Sequence, residues 1–527
     1  MLLQYTLTAI VLALGLWILS PTVLRKVVTD SDGNPLPPGP NRRFFSLRQY
    51  PERTVFAWAA KYGRLFSVWM GSQLFVVISD PRVARDLLVT NGAIFSSRRQ
   101  YFLKNKIILK GRAITASEYG DTWRQHRKIA MQVLTAKAIE GFGQSLSYEA
   151  RMLIHTLIDE SQSGKVALNP YHYTARYALN NMLFISFGMR TNHKEDPLIE
   201  RAVELALEFN KLTGPWSNPV DFFKPLEWLP TSKRTRAYKL HQNLIDVYGS
   251  MILRVKAKLD ADQYVPDCLV KTIIQDQERE KLDWQDMVML SAVFMLGGFF
   301  SASLTSPHST ASTAGLIQWF LALIPSHPEV ALRAQEELDR VVGRDRLPTM
   351  EDEKHLHYIR AIIKEVQRVH SPFWMGTPHC TTEDFTYDGQ FIPKGTAVIL
   401  NCYSIHHNSD RYEDPWLFKP ERYLGDDMTC AESAQQPNPL DRDHWTFGAG
   451  RRICPGIHAA ERQLFLAISH LLWSFNFHSL PDEPISLEEY DGSSGRTPRP
   501  FKLKLSARHE LVPSVLHGAQ ESTYWIL

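Results

Sequence analysis

Phe447-Gly448-Ala449-Gly450-Arg451-Arg452-Ile453-Cys454-Pro455-Gly456 sets one cysteine in a glycine-rich loop, led by an aromatic residue and with an arginine two positions before the sulfur. Gly448, Gly450 and Gly456 let the backbone take φ > 0 and pass close to a flat macrocycle. Phe447 can shield the sulfur, and Arg452 can pair with a carboxylate through charge-assisted hydrogen bonds. This is the arrangement that gives a haem iron a single axial thiolate, here from Cys454. Such a ligand pushes electron density toward bound O₂ and favours O–O cleavage. A buried cysteine in a glycine-rich turn is the bland alternative, and other motifs must decide.

The run fits FxxGxRxCxG, and through it the chain resembles the cytochromes P450. Further segments carry the same resemblance between Pro37 and about Pro513. Glu365-Val366-Gln367-Arg368 puts a carboxylate and a guanidinium on one helical face; alone, such a pair is more often a solvated surface bridge. Downstream, Phe418-Lys419-Pro420-Glu421-Arg422-Tyr423 is similar to the family's PERF segment. The resemblance implies that Glu365, Arg368 and Arg422 form a buried triad fixing the haem core. Trp123-Arg124-Gln125-His126-Arg127 matches the family's WxxxR, so Trp123 and Arg127 are expected at a haem propionate, one helical turn apart. Arg124 and Lys128, beside them, can offer positive charge to an acidic electron donor. His379 stands where the family keeps another propionate partner. Phe373, Trp374 and Met375 fall where the chain lines the substrate pocket or packs the core.

Composition agrees with a globular enzyme. The 527 residues are 44% hydrophobic and 22% charged, with a net charge of +3 that gives no reason to expect nucleic acid. The five cysteines show no CxxC pair, which suits a reducing compartment. Leu2 to Leu19 is uncharged and apolar, close to the ~20 residues that cross a bilayer. Pro21, Arg25 and Lys26 close the run, and the flanking positive charge predicts a cytosolic domain after it. A cleaved signal peptide is the alternative. The expected organisation is a transmembrane anchor over 1–20, a linker and stiff proline-rich hinge over 21–40, and a catalytic domain over 41–527. Membrane-bound P450s carry a similar hinge, which implies single-pass anchoring in the endoplasmic reticulum.

Within the body, Phe66–Met70 and Leu74–Ser79 read as strands joined at Gly71-Ser72. Helical patterns follow over Thr122–Leu134, Tyr148–Ser161, Arg234–Leu259, Asp283–Phe300, Pro328–Val342 and His355–His370. Short strands return at Phe385–Tyr387, Gln390–Ile392 and Val398–Leu400. The expected fold is mainly α with small β-sheets, the P450 architecture, preceded by the anchor helix.

One region departs from the family. The glycine pair, acid and alcohol expected in a long helix over the haem are replaced by Gly297-Gly298, an extra segment Phe299–Ser309, then Thr310-Ala311-Ser312-Thr313. Ser312 and Thr313 stand at the proton-relay position, with Ala311 where the acid belongs. Either the segment bulges near Pro307, since proline cannot continue an undistorted helix, or it is an error of exon assignment. His308 can substitute in proton transfer if the bulge folds inward.

The resemblance implies a haem b cofactor held by Cys454 and monooxygenation of a small organic molecule with O₂. No flavin or iron–sulfur segment is present, so electrons must come from a partner: an NADPH-cytochrome P450 reductase, with cytochrome b5 as a second donor. Lys110-Gly111-Arg112-Ala113-Ile114-Thr115-Ala116 and Val220-Asp221-Phe222-Phe223 look like fungal P450s of secondary metabolism, within them the hydroxylases of small phenolic polyketides of the m-cresol type. Two rivals keep the fold: an isomerase or dehydratase working without NADPH, which the missing acid allows, and a non-enzymatic haem-binding protein.

Overall fold

The computed structural model describes residues 28–41, 50–191, 196–213, 218–298, 312–491 and 496–521. The expected anchor over 1–20 and the segment Phe299–Ser309, with His308, lie outside them. No helix among the described residues is long and apolar enough to cross a membrane.

The first helix, α1 (Pro51–Tyr62), starts with proline at its first position, where no intrahelical N–H is lost. Strands β1 (Leu65–Met70) and β2 (Gln73–Ile78) pair antiparallel around Gly71, whose φ of 55° the tight turn requires. β3 (Ser97–Arg98) follows, then α2 (Asp121–Leu134), α3 (Gly143–Ser161), α4 (Tyr171–Phe187) and α5 (Pro197–Thr213). α4 ends at Gly188, left-handed at φ 62°. Thr231 caps the long α6 (Ser232–Asp260) by accepting from Arg234 N–H. Next come α7 (Leu269–Asp276), α8 (Trp284–Gly298), α9 (Ser312–Leu323), α10 (Pro328–Val341) and α11 (His357–Val369). After the strands β4 (His379–Cys380), β5 (Phe385–Tyr387), β6 (Gln390–Ile392) and β7 (Ala397–Leu400), α12 (Ile457–Ser474) leads to β8 (Phe475–His478).

The main sheet runs β1-β2-β7-β4-β3, with β7 parallel to β2 and the other pairs antiparallel. Its register sets Arg98 directly opposite His379, so two residues distant in sequence become cross-strand neighbours. The helical core centres on α4, which packs on α3, α8 and α9, and on α12, which packs on α3, α9 and α11. Trp319 of α9 stacks on His370 just past α11, with ring centroids 3.5 Å apart.

The described part of the proline-rich segment is docked on the sheet. Ser67 donates from N–H to Pro38 C=O (2.7 Å) and from Oγ to Pro37 C=O (2.6 Å), while Leu36 packs with Leu74 and Phe391. A Cβ on Gly39 would lie 1.9 Å from Ser67 O, so only glycine permits this approach.

Candidate active site

Cys454 sits between a short 3₁₀ turn, Gly450–Arg452, and the start of α12. Its N–H donates to Phe447 C=O at 2.9 Å, closing the loop around the sulfur. Gly448 and Gly450 take φ of 74° and 61°. A Cβ on Gly450 would stand 2.0 Å from the Leu88 carbonyl oxygen, so this glycine lets the loop press against residues 85–90. Gly456 borders the sulfur itself, its notional Cβ 3.9 Å from Sγ. Gly450→Ala is therefore expected to combine left-handed strain with overpacking, a loss of about 2–4 kcal/mol. Thermal unfolding and haem retention of the variant measure it; an unchanged melting temperature would contradict the packing.

Burial raises the Cys454 thiol above its usual range, against a hydrogen bond from the Gly456 N–H and the nearby Arg127 charge, which both lower it. A bound metal would hold the sulfur as thiolate. Arg127 donates from Nη1 to Ile453 C=O at 2.8 Å. Trp123 donates from Nε1 to Ile114 C=O, and the Arg452 guanidinium lies 4.3 Å over its ring.

Arg452 gives Nε to Ser96 C=O, Nη1 to Ile114 C=O and Nη2 to Ser117 C=O at 2.7–3.0 Å. Its fork is thereby fixed, yet no carboxylate offsets its charge. Arg98, which the sequence reading had not singled out, donates to Thr377 C=O and leaves a buried Nε without a partner. Its neighbour across the strands, His379, donates from Nδ1 to Phe95 C=O at 2.7 Å. Burial, then Arg98, holds His379 far below the usual imidazole range. Burial likewise pulls both Arg98 and Arg452 down to about 9. Arg98, Arg127 and Arg452 thus form a cationic group with no carboxylate partner among the described residues, and neutral His379 stands beside Arg98. A buried unpaired charge is costly, so this donor set fits a ligand bearing anionic arms beside Cys454. Haem, with two carboxylates and an iron that takes a thiolate, would satisfy both demands.

The triad closes as expected. Arg368 donates from Nε and Nη2 to the two oxygens of Glu365, each at 2.7 Å, and Arg422 Nε reaches Glu365 Oε1 at 3.1 Å. Both Glu365 and Arg368 are fully buried. The link onward runs through His406, which no motif had pointed out. Its Nδ1 donates to Arg368 C=O (3.1 Å), and its Nε2 accepts from Trp445 N–H (2.8 Å), two residues before Phe447. Burial keeps His406 neutral, as an accepting Nε2 requires.

Behind Phe447, ligand-type atoms of Cys430, Asp443 and His444 lie within 4.8 Å of one another. The Lys364 ammonium stands 3.7 Å from Asp443 Oδ2, which makes this a charge-paired core cluster rather than a cation site. Next to it, burial lifts Glu461 to about 7 although Cys430 N–H donates to its Oε1 at 2.5 Å. A carboxyl raised by folding stabilises fully below its unfolded value and loses that contribution as pH rises through 7. Stability is thus expected to fall by up to about 3 kcal/mol between roughly pH 5 and 8 from this group. Denaturant unfolding across that range should show a flatter profile for Glu461→Gln; identical slopes would sink the assignment.

The remaining expected residues fall as follows. Ser312 and Thr313 open α9, Thr313 buried and Ser312 half-buried. Trp374 is core, edge-on to Tyr403 at 4.8 Å, and Met375 packs against the sheet. Arg124 and Lys128 are exposed, but each has an acidic partner, Asp121 and Glu280.

The profile of the cytochrome P450 family matches residues 35–505, and the chain belongs to that family. Cytochrome P450 monooxygenase polD of Polytolypa hystricis is 31% identical over 92% of this chain and 92% of its own length. Cytochrome P450 monooxygenase verL of Clonostachys rogersoniana is 34% identical over 80% of this chain and 75% of its own. Cytochrome P450 monooxygenase patH of Penicillium expansum is 32% identical, covering 82% and 80%. The chain is accordingly an oxidoreductase of the P450 type.

Proposed function

We propose that this chain is a haem-thiolate monooxygenase that hydroxylates a small phenolic polyketide intermediate of fungal secondary metabolism. Electrons come from an NADPH-cytochrome P450 reductase, with cytochrome b5 as a second donor. Leu2–Leu19 tethers the enzyme to the endoplasmic reticulum membrane, catalytic domain in the cytosol. The observation that carries the reading is the cationic group of Arg98, Arg127 and Arg452 around the Cys454 loop, which has no carboxylate partner among the described residues.

Haem bound there would supply O₂ activation and oxygen transfer to a C–H bond. The protein's part is to fix and to screen. Cys454 would give the iron its sulfur, Arg98, Arg127 and Arg452 would pair with the haem carboxylates, and His379 would stand beside Arg98. Gly456 borders the sulfur, and the Phe447 carbonyl holds the Cys454 N–H. Ser312 and Thr313 would pass protons in this reading, with Ala311 in the sequence where an acid is usual.

The test is turnover in microsomes that also carry a fungal reductase, with a panel of small phenols and detection by mass spectrometry. Products gaining one oxygen only with NADPH support the reading. Rearranged peroxides formed without NADPH would replace it by the isomerase. Absence of a thiolate-type spectrum with carbon monoxide would remove the haem assignment itself.

A further inference from the structure

Three oxidisable rings line up between the Cys454 side of the core and the surface. Trp374, in the turn after α11, is 5% exposed, whereas Trp416 is 54% exposed. Between them stands Tyr403, on the short helix Cys402–His406. Ring centroids are 4.8 Å apart from Trp374 to Tyr403 and 5.8 Å from Tyr403 to Trp416. His407 makes a parallel route, 5.5 Å from Trp374 and stacked on Trp416 at 4.2 Å. Trp228 and Tyr264 are more exposed than Trp416, yet neither has a ring neighbour among the described residues.

The inner end is tied to the cysteine loop by hydrogen bonds. Trp374 C=O accepts from Cys402 N–H at 2.8 Å, and Cys402 Sγ donates to Trp445 C=O at 3.3 Å. The His406 ring lies 6.2 Å from the Trp374 ring, and its Nε2 accepts from Trp445 N–H at 2.8 Å. Trp445 precedes Phe447 by two residues, and Phe447 C=O holds the Cys454 N–H.

The surroundings of the rings set a direction. Trp374 Nε1 is buried with no acceptor among the described residues. An indole oxidised there keeps its proton, and the cost of a buried charge makes it a strong oxidant of its neighbours. Burial holds His407 neutral, at about 3, so it adds no positive charge beside the path. Trp416 meets water, which can take the indole proton and leave a neutral radical. An electron vacancy formed inside therefore comes to rest at Trp416.

We infer that Trp374, Tyr403 and Trp416 form an electron relay, with Trp416 as the surface site where a small reducing molecule such as ascorbate is oxidised. The oxidant is hydrogen peroxide, consumed beside Cys454. It takes up two electrons and two protons and leaves as two waters. Two ascorbates each give one electron and one proton at Trp416 and leave as ascorbate radicals, and the electrons pass inward along the three rings. This inference rests on the haem assignment and adds a peroxide-consuming activity that needs no NADPH.

The test mixes holoenzyme with hydrogen peroxide and a nitroso spin trap, without NADPH. Electron paramagnetic resonance reads the radical, and peptide mass spectrometry locates the trap adduct, expected on Trp416. Trp416→Phe should remove the adduct and slow peroxide-dependent ascorbate oxidation about ten-fold or more, because phenylalanine is too hard to oxidise. Trp416→Tyr should restore a radical, now tyrosyl, at the same position. Trp374→Phe should diminish the Trp416 adduct to a similar degree, which direct attack of peroxide on the surface ring would not allow. The carbon monoxide spectrum should stay normal in all three variants. A wild type with that spectrum but no Trp416 adduct, or an adduct undiminished in Trp374→Phe, would overturn the relay alone. A wild type without the spectrum would strike the haem assignment, and the relay with it.

Discussion

Arg368→Met is expected to yield a protein that neither retains haem nor unfolds cooperatively at a normal temperature. Arg368 is completely buried and uses its whole fork: two bonds to Glu365, two of 2.7 Å from Nη1 to His406 C=O and Pro415 C=O, and one from Nη2 to Leu417 C=O. Removing it leaves three carbonyls short of a donor and Glu365 with only Arg422 and the Lys419 N–H. Breaking such a buried pair costs about 3–5 kcal/mol, since the remaining charge is stranded. Lysine is expected to rescue little, because a single ammonium cannot reproduce the planar fork. The damage should travel through His406 to Trp445 and hence to the Cys454 loop. Haem content per chain and the melting temperature measure it; near-normal values for both would show that the triad is dispensable.

Cys454→Ala should eliminate the thiolate-type carbon monoxide spectrum and all NADPH-dependent turnover, with little change in fold. The controls are the other buried thiols. Cys402 and Cys430 are also enclosed, and burial raises both, Cys402 to about 12. Neither has the cationic group of Arg98, Arg127 and Arg452 beside it. Cys430→Ala and Cys402→Ala should therefore keep the spectrum. If Cys430→Ala lost it while Cys454→Ala kept it, the axial ligand would have to be reassigned.

Much of this site was legible in the chain. Phe447–Gly456 announced a cysteine on a close-packed glycine loop, and Glu365, Arg368 and Arg422 came together as their motifs implied. The strand pair around Gly71 and most amphipathic helices also followed from residue pattern. Helices α4 and α12 were harder. Both are buried nearly all round, so no apolar stripe separates from a polar face to mark their period.

Arg98 and His406 were not legible, for a different reason. Arg98 acquires its role from sheet register, which sets it opposite His379 from far along the chain. His406 matters because its two ring nitrogens reach α11 and the Cys454 loop at once. The sequence by itself determined the glycine-rich cysteine loop, the triad and the helical class, since these rest on residue type and short spacing. Which charges are compensated and which are left to a ligand was decided by the tertiary structure, because burial and pairing depend on segments that meet only on folding.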